Sequence, residues 1–250
     1  MREVSRVVST LLTELRQKNQ YIVDLESLAK QGALRVSFPW LHTLSNFLPL
    51  PIFRNAKETV QRISTYGEQS LARYKLLTAA DPANAPETLF RRLFKAGEEG
   101  LSDTEILSEA RAYIVAGSDT TSNTLTYLVW RVCGDPAIRR RLAEELQDLP
   151  ADFNDQMLKA LPYLNQVIDE TLRLYAAAPS GLPRVVPPGG ARLAGHWLPG
   201  GSTVTTQAYT LHRDPIVFPR PEIFDPSRWA APTKAMKESS MPFGGGSRST

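Results

Sequence analysis

The sequence predicts a mainly α-helical protein with a small β part, and three observations carry that expectation. Eleven of the 19 prolines and nine of the 15 glycines lie after residue 178. The stretch 1–178 therefore has the composition of helices, and 179–250 that of turns, short strands and coil. Within the first stretch, Ser102 and Glu105 form a Ser-x-x-Glu capping box. An apolar pattern follows it to Cys133, with Gly134 as the stop. Within the second, Leu198-Pro-Gly-Gly201 separates the runs Arg192 to Trp197 and Thr203 to Tyr209, as the turn of a β hairpin would.

The elements follow in order. Arg2 to Gln20 and Glu58 to Leu77 are amphipathic at helical spacing. Between them, Ser37 to Phe53 is apolar but carries Pro39, Pro49, Pro51 and His42, too broken for a spanning helix of about 20 apolar residues. It reads as a greasy loop, packed or touching a membrane. Residues 103–133 read as a helix of about 31 residues, roughly 46 Å long at 1.5 Å per residue, long enough to cross a whole domain. Asp135-Pro136 caps and starts the next helix, with proline at the first helical position. A further helix begins near Pro162 and ends near Tyr175.

Composition bounds the function. The chain has 250 residues, 29 Lys and Arg against 26 Asp and Glu, and 42% hydrophobic residues. That describes a globular protein with a real core, not a disordered or collagenous chain. Its single cysteine, Cys133, excludes an intrachain disulfide. A net charge of +3 without a basic stripe argues against a nucleic-acid partner. Charges from Arg2 through Lys18 leave no apolar stretch for a signal peptide.

Three segments could carry chemistry. Ala116-Gly-Ser-Asp-Thr-Thr121 breaks the apolar pattern of the long helix with small and polar residues. An interior glycine costs about 1 kcal/mol against alanine, and an unpartnered aspartate in a buried helix costs more. Either a flat ligand lies here and the Asp and Thr relay protons, or the helix kinks and the threonines bond back to its carbonyls. Glu170 and Arg173 stand i,i+3 on one helix face and can pair; an exposed pair of this kind carries little. Phe243-Gly-Gly-Gly-Ser-Arg248 is glycine-rich, yet lacks the lysine and following helix of a phosphate loop, and otherwise reads as a tail. His42, His196 and His212 lie far apart, form no zinc motif and read as ordinary polar residues. No nucleophile elbow surrounds Ser118 or Ser247.

Taken in order, these segments resemble those of a cytochrome P-450. Ala116-Gly-Ser-Asp-Thr-Thr121 comes first, then Glu170-Thr-Leu-Arg173. Pro221-Glu-Ile-Phe224 with Asp225-Pro-Ser-Arg-Trp229 follows, and Pro242-Phe-Gly-Gly-Gly-Ser-Arg248 comes last. The resemblance covers residues 55–250 firmly and the earlier helices loosely. Pro179-Ser-Gly-Leu-Pro-Arg184 through Thr210-Leu-His-Arg-Asp-Pro215 further resembles fungal members that act in secondary metabolism. The implied fold is an incomplete cytochrome P-450 fold, one incomplete domain ending in the haem-binding loop.

The resemblance also implies roles. The long helix would cross over a haem, with Asp119 and Thr120 as the acid–alcohol pair that delivers protons to dioxygen. Glu170, Arg173 and Arg228 would form a buried charged triad supporting the haem-side scaffold. Arg184 and Arg248 would face the haem propionates, where guanidinium fits carboxylate through two parallel bonds. Phe243 and Gly246 would belong to the loop beneath the haem. The implied partners are an NADPH-dependent reductase and a small apolar substrate.

The family holds its haem iron by a cysteine thiolate, which pushes electron density toward O–O cleavage. The pattern Phe-x-x-Gly-x-Arg-x-Cys, in register from Phe243, puts Thr250 at that position. Either threonine replaces the cysteine, or one residue is inserted and the sequence stops just before it, so no metal ligand is assigned. Cys133 is no substitute: it lies thirteen residues beyond Thr120 on the same helix, about 20 Å along the axis. The chain resembles a C-terminal-half fragment. A full-length relative would sit on the endoplasmic reticulum membrane through an N-terminal anchor missing here; the chain alone would be cytoplasmic. Two functions follow. One is a haem-thiolate monooxygenase inserting one oxygen atom from dioxygen into an apolar organic substrate. The other is a truncated, catalytically inactive relative, at most a binding or regulatory partner.

Overall fold

The computed structural model describes residues 20–44, 51–81, 91, 93 and 102–245. Packing divides the chain into two compact units, Met1–Asp119 and Thr120–Thr250, and one long helix runs through the boundary.

The first unit is helical. It holds α1 (Gln20–Ser37), α2 (Pro39–Leu44), α3 (Pro51–Ala80) and the start of α4 (Asp103–Gly134). The expected helix from Arg2 lies outside the described residues up to Asn19. The greasy loop expected at Ser37 to Phe53 is corrected at both ends: α1 runs through Ser37, and α2 and α3 open on Pro39 and Pro51. Proline lacks only an N–H that the first helical turn does not use, so these prolines start helices instead of breaking one. Pro49 lies outside the described residues.

The α1–α3 packing encloses a charge. Asp24 is fully buried, and both its oxygens accept from Arg62 on α3, at 2.8–3.1 Å, with Gln20 adding a bond at 3.0 Å. The guanidinium holds the Asp24 carboxyl below its ordinary range, against the opposing effect of burial. The capping box closes as the sequence implies: the Ser102 backbone N–H donates to Glu105 Oε2 at 2.8 Å, and the Glu105 N–H to Ser102 Oγ at 3.3 Å. Behind it, Ile106 and Ala110 pack with Leu71 and Leu93.

The second unit builds on α5 (Pro136–Gln147), α6 (Asp155–Lys159) and α7 (Pro162–Leu174). Asp135 caps α5 by accepting from the Ala137 and Ile138 N–H groups. Leu161 has no side chain to cap α7. Glu145 on α5 does so instead, its two oxygens accepting from the Tyr163 and Leu164 N–H groups at 2.7 and 2.8 Å. Tyr163 and Val167 on α7 pack with Ile138 and Leu142 on α5, and Leu128 and Val132 of α4 lean on the same cluster.

The strands pair differently from the expected hairpin. β2 (Ala191–Leu193) turns directly into β3 (His196–Leu198), and β4 (Thr203–Gln207) pairs with β1 (Gly181–Val185), both antiparallel. The reason is the dipeptide Ala194-Gly195, both left-handed at φ 48° and 81°. That is the geometry of a two-residue hairpin loop, and it folds the run Arg192 to Trp197 back on itself. Short helices α8 (Ala208–Leu211) and α9 (Lys234–Ser239) and a 3-10 helix at Pro226–Ala230 complete the unit.

Candidate functional site

The second unit holds a buried ionic cluster, an apolar cavity, and a connection between them. Glu170 and Arg173, one turn apart on α7, are both fully buried. Arg173 Nε donates to Glu170 Oε2 and Nη2 to Oε1, each at 2.8 Å. Arg228 Nε adds a bond to Oε1 at 3.0 Å, the Asp225 N–H another at 2.9 Å, and Trp229 Nε1 donates to Oε2 at 2.9 Å. A buried carboxylate is tolerable only when its lone pairs are filled in this way. The third Arg173 branch, Nη1, donates to the His212 carbonyl at 2.6 Å. Asp225 turns the chain into the 3-10 helix by accepting from the Ser227 N–H and hydroxyl. Those bonds, with Arg228 and Arg220 near, hold its carboxyl below the ordinary range.

The cavity has a volume of about 550 Å³, in the range of small-molecule and cofactor sites. One wall is a stripe of α4: Thr120, Thr121, Thr124, Leu125 and Leu128. These positions recur at helical spacing, so they share a face. Ile168 and Leu172 of α7 and the following Ala177 and Ala178 form a second wall. The loop Met241-Pro242-Phe243-Gly244 also lines it. No charged side chain lines the cavity among the described residues. The Thr124 hydroxyl bonds back to the Thr120 carbonyl at 3.0 Å without interrupting the helix.

His212 connects the two parts. It is fully buried; Nδ1 lies 2.8 Å from the Arg173 carbonyl and Nε2 2.8 Å from the Met241 N–H. Burial, with Arg173 and Arg213 near, pushes its pKa below the ordinary histidine value.

The structure thus brings Glu170, Arg173 and Arg228 together, and it brings Thr120 and Phe243 to one cavity. Asp119 precedes Thr120 on α4 and is not a lining residue; both are exposed. The long helix is not the buried element its apolar pattern suggested: Leu125, Val129 and Trp130 are each more than half exposed. Arg184 sits exposed on β1, apart from the lining residues, donating to its neighbouring Pro183 carbonyl. Gly246, Arg248 and Thr250 lie outside the described residues. Sequence reasoning missed His212, whose partners lie 39 and 29 residues away. It also missed the bond from Trp229, although Trp229 stands in a quoted motif.

Comparisons with known proteins agree on one family. The sequence profile described as cytochrome P-450 matches residues 10–249. The cytochrome P-450 monooxygenase orf2 of Aspergillus niger is 46% identical over 233 residues, 93% of this chain and 47% of that protein. The monooxygenase tazI of Aspergillus terreus is 46% identical over 249 residues, 98% of this chain and 51% of its own. Among solved structures, a cyanobacterial CYP120A1 with retinoic acid bound aligns at a TM-score of 0.68 and 26% identity, over 93% of this chain and 52% of that one. The chain belongs to the cytochrome P-450 family, and its fold is mainly α with a small β part, as that family's is. It spans about half the length of the curated relatives it matches.

The family implies haem. The described walls fit the faces of such a group. The cavity is apolar, and it is lined by a helix stripe and by a loop that carries Phe243, 74% exposed, beside Gly244. No helix among the described residues is long and apolar enough to cross a membrane.

Proposed function

We propose that this chain is the haem-holding half of a haem-thiolate monooxygenase that inserts one oxygen atom from dioxygen into an apolar organic substrate, in fungal secondary metabolism. The observation that supports this reading most is the apolar cavity between the α4 stripe and the Met241–Gly244 loop. The haem, when bound, supplies the oxygen activation. The balanced reaction places one oxygen atom in the substrate C–H bond and releases the other as water. It takes two protons, and two electrons from an NADPH-dependent reductase.

The chain's own residues do the rest. Thr120 stands on the cavity wall and passes protons by its hydroxyl; Asp119, exposed beside it, takes them from water. The apolar walls exclude water and select an apolar substrate. Glu170, Arg173 and Arg228 hold α7, which supplies Ile168 and Leu172 to the cavity wall, to the segment 223–229. Arg184, with Arg248, would pair the propionates; Arg184 is exposed and its strand is paired with β4. Phe243 and Gly246 would belong to the loop that holds the haem. In a full-length protein, an N-terminal anchor would hold the site at the endoplasmic reticulum membrane.

A second reading, a relative without this oxygen chemistry that serves as a binding or regulatory partner, is favoured by one observation: Thr250 stands at the cysteine position of the loop motif. Reconstitution with hemin separates the two. A thiolate-ligated band in the ferrous–carbonyl spectrum of the chain itself supports the monooxygenase, and a band in Thr250→Cys alone supports the second reading. A variant that takes up hemin yet shows no thiolate band overturns the placement of this loop beneath the iron.

A further inference from the structure

Neither the sequence motifs nor the cavity accounts for His212. A backbone carbonyl only accepts and a backbone N–H only donates. The contacts with the Arg173 carbonyl and the Met241 N–H, both at 2.8 Å, therefore assign one tautomer. Nδ1 carries the proton, Nε2 carries the lone pair, and the ring is neutral. Arg173 returns the bond through Nη1 to the His212 carbonyl, so the two residues are locked reciprocally.

We propose that His212 is a positioning residue that ties the cavity loop to the buried ionic cluster through the Met241 N–H. Met241 is the first loop residue on the cavity wall, and Pro242, Phe243 and Gly244 follow it there. The bond fixes where that wall begins. The other end of the link is Arg173, held by Glu170, so the loop is tied to a fully buried, doubly hydrogen-bonded ion pair. A second proton, on Nε2, would set donor against donor at Met241 and break the tie.

The charges bearing on the ring are Arg173 on α7 and Arg213 in the turn after α8, and both oppose that proton; the Arg173 carbonyl favours it. Burial opposes it as well, so the tie persists to a pH below the ordinary histidine range. Only the statement that this loop walls a haem rests on the function proposed above; the bond pattern does not.

The test is hydrogen exchange of the Met241 amide in the whole chain, as a protection factor against pH, in wild type, His212→Gln and His212→Phe. Phenylalanine keeps a ring but no acceptor, and glutamine keeps an acceptor that does not titrate. The Phe variant should lose Met241 protection about tenfold near neutral pH, the effect of one buried acceptor removed. Amides of α5 should stay protected and report an intact fold. The wild type should lose protection as acid protonates His212, and the Gln variant should not. Unchanged Met241 protection in the Phe variant overturns the positioning role. So does an acid-induced loss that persists in the Gln variant, which decides the matter if the Phe variant fails to fold. A parallel hemin titration should weaken about tenfold in the Phe variant, by the same lost acceptor. A wild-type chain that takes up no hemin overturns the haem reading alone and leaves the exchange result to decide the role of His212.

Discussion

At Glu170 five hydrogen-bond donors converge on two buried oxygens. Replacing the carboxylate with an amide leaves Arg173 buried beside a group that cannot neutralise it. Glu170→Gln should therefore lower the unfolding free energy by about 3–5 kcal/mol in a urea titration; a loss under about 1 kcal/mol would mean the cluster is an ordinary ion pair. His212 sets a pH dependence of known sign. Its pKa is lowered in the folded chain, so below the ordinary value of 6.5 the unfolded chain binds more protons than the folded one. Stability is then fully present above that value and is lost as pH falls through the folded pKa. His212→Gln should flatten this limb, and an unchanged acid limb in the variant would contradict the neutral tautomer. The residue scale is also where the sequence was read least evenly. Glu170 and Arg173 share a helix turn, so spacing alone allows their pairing, while their burial does not follow from it. The His212 bonds join positions with no periodic relation, and only the folded chain reveals them.

At the scale of elements, two features invite direct measurement. The start of α7 is capped by another helix, through Glu145. Glu145→Ala should cost about 1 kcal/mol, as removal of an N-cap acceptor does, read from the shift in the denaturation midpoint; no shift would show that water serves as well. Ala194 sits left-handed at φ 48° in the β2–β3 turn. Ala194→Gly should stabilise the chain by roughly 1 kcal/mol, because the Cβ that crowds this conformation is removed; a destabilised variant would contradict the turn. Helix starts were legible because their chemistry is local: Ser102 with Glu105, and Asp135 before Pro136. Strand pairing was not. The Leu198-Pro-Gly-Gly201 turn looked like the hairpin loop, yet Ala194-Gly195 closed first, in the tighter two-residue form. An alanine in the left-handed region carries no sequence signal.

At the scale of the whole molecule, the class of fold was legible from where proline and glycine fall, and the family from four motifs in order. The exposure of the α4 face was not, because an apolar pattern predicts a buried stripe while Leu125, Val129 and Trp130 stand more than half exposed. The chain covers about half of its matched relatives, and the cavity still forms within the second unit, from α4, α7 and the loop at Met241. That cavity is the central claim, and hemin titration of the purified chain tests it most directly, followed by absorbance and set beside Thr124→Trp, which fills the stripe. The account predicts one hemin per chain for the wild type and at least about tenfold weaker uptake by the variant, the loss expected when bulk is forced into a fitted apolar site. Equal uptake by both chains, or none by the wild type, would contradict it.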